Sequence, residues 1–261
     1  MYFLDTPIFV HRMFGTVEER KRVERFVASG ECVTSHYVKE QYRSTYLRAA
    51  VLLHNILRDK QDIPRTLRDL DRHPVTPGKG QKARDILCRI LEELPGYTVS
   101  HMLTTLERWI EWEMLEVFQG VQVVDETRCC LCHGEVVRNE FGMYVLQVSC
   151  TVKEPRPCTI EAFWQDRSFM LERQARYRLD ELPRDERTKN VAKARDACRE
   201  VLDDNKPPRG LRCYVHLSDS VIAGESPAGA TLATTNLRDF KALVRMIGGR
   251  RTVTNPCTKN R

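Results

Sequence analysis

No apolar run in this chain approaches the ~20 residues needed to cross a bilayer. The N-terminus lacks a basic stretch followed by an apolar one, the mark of a secretory signal, so a cytoplasmic location is expected. The chain also has no glycine-rich phosphate loop, no serine or cysteine triad, no internal repeat and no low-complexity tract. Those absences argue against membrane-spanning proteins, P-loop nucleotide enzymes and triad hydrolases.

What is present is a globular composition. The 261 residues are 41% hydrophobic and 30% charged, enough for one large domain or for one domain with a sizeable insertion. Lysine plus arginine number 42 against 36 acids, a net charge of +6. That mild excess suits a protein that meets a polyanion without requiring one. Ten cysteines in a chain without an evident secretory signal read better as reduced thiols, some of them metal-bound, than as disulfides.

The hydropathy pattern differs between the ends and the middle. Residues 2–5 and 32–34 are short β-branched or aromatic runs, each followed by a helical pattern, and residues 17–29 form an amphipathic helix ended by Gly30. A longer helix capped by Thr34 or Ser35 runs to about residue 58 and carries Glu40 near its start. The C-terminal end alternates again: LRCYVHL as a strand, a short helix from Asp219, ATLATT as a strand, a helix over 238–247 and RTVT as a last strand. Strands alternating with helices predict an α/β domain with a parallel sheet and helices on both faces, built from residues 1–58 and 206–261.

Residues 59–205 read as an insertion. Within it, 60–80 is a charged, turn-rich connection, 80–93, 100–119 and 160–204 are helical, and about 120–160 is a small sheet of hairpins.

In a parallel sheet, ligands bind outside the carboxyl ends of the strands. Asp5 ends the first strand, Glu40 opens the helix after the second, Asp219 follows another strand in HLSDSVIAG, and Asp239 follows ATLATT. The topology gathers these four acids at one edge. Carboxylates so crowded repel one another and are relieved by protons or a cation. Oxygen ligands suit magnesium or manganese, which promote phosphodiester hydrolysis. Each acid also has an ordinary explanation: Asp5 can hold a turn, Asp219 can cap a helix and Asp239 can complement a helix dipole. The case for a site is the set of four.

LDTPIF at 4–9, SHYVKEQY at 35–42, LSDSVIAGES at 217–226 and LATTNLRDF at 232–240 resemble, in order, the motifs of the PIN domain family of metal-dependent nucleases. The resemblance covers roughly residues 1–58 and 210–256. It implies a PIN-like fold with an acidic pocket holding Mg²⁺ or Mn²⁺ at the sheet's carboxyl edge. By position it makes Asp5, Glu40 and Asp219 catalytic acids and metal ligands, with Asp239 the best match for the fourth and Asn236 a candidate partner beside it. Thr6 and Thr235 match polar residues lining the pocket. The implied activity is that of an endoribonuclease, a toxin or a defence effector acting on RNA or single-stranded nucleic acid, held in check by an inhibitor or antitoxin protein. Pro7 stands where the family often has a polar residue, and residues 60–205 have no counterpart in typical toxins. The alternative is a catalytically inactive PIN-like module that binds nucleic acid or protein through the insertion.

Within that insertion, Cys129-Cys130-Leu131-Cys132-His133 precedes Cys150 and Cys158. Cys129 and Cys132 have the spacing with which two thiolates of one turn grip zinc, and Cys150 and Cys158 would complete a structural zinc-ribbon-like site. Cys130 or His133 can replace one ligand, and buried free thiols are the ordinary alternative.

Overall fold

The structure, a computed structural model, describes residues 1–72, 79–93, 96, 98–124, 134–148, 159–203, 217–248 and 252–258. The chain divides into two compact units: Met1–Lys39, Gly120–Cys130 and Thr151–Arg261 form the first, and Glu40–Gln119 with Leu131–Cys150 the second. Of the expected insertion 59–205, Gly120–Cys130 and the part from Thr151 onward fall in the first unit, and residues 40–58 of the expected sheet domain fall in the second. Among the described residues no helix is long and apolar enough to cross a membrane.

The first unit is an α/β structure. Strands β1 (Tyr2–Leu4), β2 (Cys32–Thr34) and β3 (Gln122–Val123) come from the first half of the chain. The described strands β6 (Thr231–Ala233) and β7 (Thr252–Thr254) come from its end. They form one sheet in the order β3-β2-β1-β6-β7, every neighbouring pair parallel. The strands β1, β2 and β6 read as apolar runs because their side chains are buried: Phe3, Leu4, Val33, Leu232 and Ala233 are all within 1% of full burial. β3 corrects the expectation of hairpins throughout 120–160, since Val124 N donates to the Thr34 carbonyl and extends the parallel edge. Residues 211–216 of the expected strand LRCYVHL lie outside the described residues.

The connections explain the sheet order. From β1 the chain passes through helices Thr6–Phe14 and Val17–Ala28 to β2, then outward to β3. It returns to the opposite side of β1 as β6. The direction of travel reverses between β1 and β6, so a crevice opens outside their carboxyl ends. Four further helices of this unit matter to that crevice: Ser168–Arg176, Lys189–Asp203, Ser218–Glu225 and Leu237–Ile247. Leu182, Val191, Ala242 and Met246 share a buried cluster, and Arg245 donates two hydrogen bonds to Glu186 at 3.2 and 3.1 Å. Gln174 Nε2 donates to Ser220 Oγ at 2.7 Å across buried faces. Residues 168–194 are thus part of the α/β unit.

The second unit is helical with one hairpin. Ile63–Arg72 is a helix where a charged connection was expected. Pro64 is tolerated there because the first turn has no intrahelical acceptor for the N–H it lacks. Strands β4 (Gly134–Arg138) and β5 (Tyr144–Val148) pair antiparallel. Asn55 docks this hairpin as a surrogate strand: its Nδ2 donates to the Tyr144 carbonyl at 2.7 Å, and its Oδ1 accepts the Tyr144 N–H at 3.0 Å. Buried His54 lies 3.3 Å from Glu107, which also accepts from Arg138 Nη2 at 2.9 Å. The expected zinc ligands Cys129, Cys132, Cys150 and Cys158, with Cys130 and His133, lie outside the described residues.

Candidate active site

Asp5 leaves β1 directly and caps helix Thr6–Phe14, its Oδ1 accepting the Thr6 N–H at 2.7 Å. Pro7 occupies the first turn, where a missing N–H costs nothing. The cap uses one carboxylate oxygen. The other, Oδ2, accepts from Thr234 Oγ1 at 2.6 Å, and the Asp5 N–H donates to the Ala233 carbonyl at 3.0 Å. Thr234 is fully buried and follows β6 as Asp5 follows β1, so this pair joins the two strands across the crevice. The Asn236 N–H donates to Thr234 Oγ1 at 3.0 Å. With an oxygen lone pair so engaged, the hydroxyl proton is directed at Asp5.

Asp219 lies in the first turn of helix Ser218–Glu225. Its carboxylate accepts one long bond, from Ser218 Oγ at 3.4 Å. Burial pushes the Asp5 carboxyl up to about 7, and the Asp219 charge adds to the shift against the bonds from Thr234 and Thr6. Burial likewise pushes Asp219 up to about 6, with the Asp239 charge next in size. Asp219 therefore stands electrostatically between the other two acids. Among the described residues, however, no group of three or more His, Cys, Asp or Glu side chains is arranged to hold one ion.

Asp239 is the most constrained of the three. It lies in the first turn of helix Leu237–Ile247 and is 4% exposed. Thr188 Oγ1 donates to its Oδ1 at 2.5 Å, while Asn190 Nδ2 and Asn236 Nδ2 donate to its Oδ2 at 3.1 and 3.0 Å. Three donors leave about one of a carboxylate's four acceptor positions. Asn236 is thus a partner of Asp239, and through its backbone N–H it also braces the Thr234 hydroxyl that holds Asp5. A pocket of about 180 Å³ opens beside Asp219 and Asp239, walled by Ser218 and by Asn190, Lys193 and Ala194.

Glu40 falls in the second unit. It is 6% exposed, its Oε1 lies 3.5 Å from Arg43 Nη1, and its buried Oε2 has no hydrogen-bond partner among the described residues. A π-helical turn, Arg43–Leu47, follows directly. Thr6 contributes a backbone N–H to Asp5. Thr235, expected at the pocket, is neither its wall nor the support of Asp5; the adjacent Thr234 supports the acid. Sequence reasoning also missed Thr188 and Asn190. The signal for Thr188 was its position before an amphipathic pattern, and it caps that helix by accepting the Val191 N–H at 3.2 Å. Nothing local announced its second partner.

The donors fit a small hard cation in part. Asp5 and Asp219 are a destabilised carboxylate pair, and Asp219 is poorly supplied with hydrogen bonds. Both features favour neutralisation by a metal ion. Compared with protein-family models, curated proteins and solved structures, the chain finds no match.

Proposed function

We propose that the protein is a PIN-like, divalent-metal-dependent nuclease that hydrolyses phosphodiester bonds, with RNA as its principal substrate. The observation that carries this reading is the Asp5–Asp219 pair. Both carboxyls are raised above their ordinary range, Asp5 in part by the charge of Asp219, and Asp5 leaves the strand at which the order of a parallel sheet reverses. Such a crevice is where α/β sheets bind ligands. The ordered motifs around Asp5, Glu40, Asp219 and Asp239 support the same reading, and the resemblance they carry favours RNA.

Asp5 and Asp219 would hold magnesium or manganese. When bound, that ion supplies charge stabilisation at phosphoryl oxygens and a lowered pKa for water. The protein's part is to orient and to discriminate protonation states. Thr234 and the Thr6 N–H fix the Asp5 carboxylate, and Asp219 faces the pocket with most of its acceptor capacity unused. Asp239, engaged by three donors, shapes the pocket wall and adds negative charge beside Asp219.

The second reading, an inactive module that binds nucleic acid or protein, is favoured by two observations: Asp239 accepts three internal hydrogen bonds, and three acids do not converge among the described residues. Incubation of the purified protein with RNA and with single-stranded DNA, in manganese, in magnesium and in chelator, separates the readings. Cleavage that needs metal and is lost in Asp219→Asn supports the nuclease. Salt-sensitive binding without cleavage in any metal supports the module.

A further inference from the structure

The pocket beside Asp219 and Asp239 has a wall that does not come from the sheet motifs. Lys193 and Ala194 follow Asn190 by one helical turn on the same face of helix Lys189–Asp203, and all three line the pocket. Asn190 is tied to Asp239, so the face it belongs to is aimed at the acids. Lys193 stands on that face one turn deeper into the helix. Its partner at i+1, Ala194, is small and leaves the space above the acids open.

The wall is held firmly. Thr188 Oγ1 accepts the Val191 N–H at 3.2 Å and donates to Asp239 at 2.5 Å, so one hydroxyl both caps the helix and pins it to the acid. Val191 is buried with Leu182, Ala242 and Met246, and the Glu186–Arg245 pair closes the preceding turn. The position of Lys193 relative to Asp239 is therefore built in.

Charge completes the case. Lys193 is the sole cationic side chain among the described lining residues, and it is exposed at the pocket. No carboxylate among the described residues forms an ion pair with it. A lysine meant only to neutralise Asp219 or Asp239 would be paired with one of them. A phosphate entering a pocket floored by carboxylates gains from a cation on the wall in addition to any ion the acids hold.

We propose that Lys193 is a substrate-binding residue: it contacts a backbone phosphate of a single-stranded nucleic acid, on a wall that Thr188 and Asn190 lock to Asp239. This rests on the nuclease reading above and adds the side from which the strand is gripped.

The test uses the full chain, wild type and Lys193→Ala, Lys193→Glu and Lys193→Arg variants, with fluorescent RNA and DNA oligonucleotides of mixed sequence. Binding is read by anisotropy across a salt series in an Asp219→Asn background, and cleavage in the otherwise wild-type chain. Loss of one phosphate contact lowers the slope of log affinity against log salt by about 0.7 for a single strand. Lys193→Ala and Lys193→Glu should show that lower slope, weaker binding on every sequence, and a raised KM with kcat little changed. Lys193→Arg should restore the slope. Lys193 variants that are folded and keep wild-type slope, affinity and KM overturn the proposal while leaving the nuclease standing. A wild-type protein that neither binds nor cuts either strand overturns both.

Discussion

Thr234 Oγ1 donates to Asp5 Oδ2 at 2.6 Å across 229 residues of sequence. The bond joins the first residue after β1 to the first residue after β6, the two strands that flank the reversal of the sheet. It makes the threonine a support for the acid rather than part of the pocket wall. Thr234→Val removes the donor and leaves a buried carboxylate oxygen without it. The expected loss is ~1–3 kcal/mol at pH 8, where Asp5 is ionised, and less at pH 5, where it is protonated. Urea midpoints at the two pH values measure it, and Thr234→Ser should recover most of the loss.

Protonation of Asp5 gives stability a defined pH dependence. In the fold the carboxyl is raised to about 7 from an ordinary value of 3.8. Between those limits the unfolded chain is ionised while the folded chain keeps its proton, so the fold binds more protons and stability falls as pH rises. Above about 7 the loss is complete and constant. Asp5→Asn retains a good helix cap and cannot ionise. Without metal it should exceed wild type by about 4 kcal/mol at pH 8 and match it at pH 4. Thermal denaturation in chelator at both pH values reads the difference.

Metal dependence should carry the same signature in reverse. A cation that binds the ionised pair competes with protons, so half-maximal cleavage should need less manganese at pH 8 than at pH 6. The shift should centre on the range of about 6 to 7 set by Asp219 and Asp5. A manganese requirement that does not move with pH contradicts the assignment of that pair.

In the helical unit, Asn55 satisfies both backbone polar groups of Tyr144. Asn55→Ala leaves that N–H and carbonyl without their partner, at a cost of ~1–3 kcal/mol. Hydrogen exchange should show the effect concentrated in β5, with the sheet of the first unit unchanged.

Much of the sheet was legible because it follows from local pattern. YFL, CVT and TLA are short buried runs, and Asp5 ends the first of them, where only a turn, a cap or a site would place a carboxylate. It serves as the cap while feeling the charge of Asp219. β3 was less visible: two residues with no alternation are indistinguishable from the start of a hairpin, and only pairing to Thr34 defines them. Ile63–Arg72 was obscured by Pro64 and its charges, although Ile63, Leu67 and Leu70 keep the helical period. The choice between Thr234 and Thr235 is a one-residue register question, and successive residues of an extended segment face opposite ways. Thr188 and Asn190 lie about fifty residues before Asp239, and no local signal reports a hydrogen bond over that distance.

The central claim is that Asp5 and Asp219 together bind a divalent cation. Calorimetric titration of the full chain with manganese at pH 8 tests it, run beside the Asp5→Asn/Asp219→Asn double variant. The account predicts a saturable site in the wild type that disappears in a folded double variant. Equal manganese binding by both proteins, or none by the wild type, would contradict it.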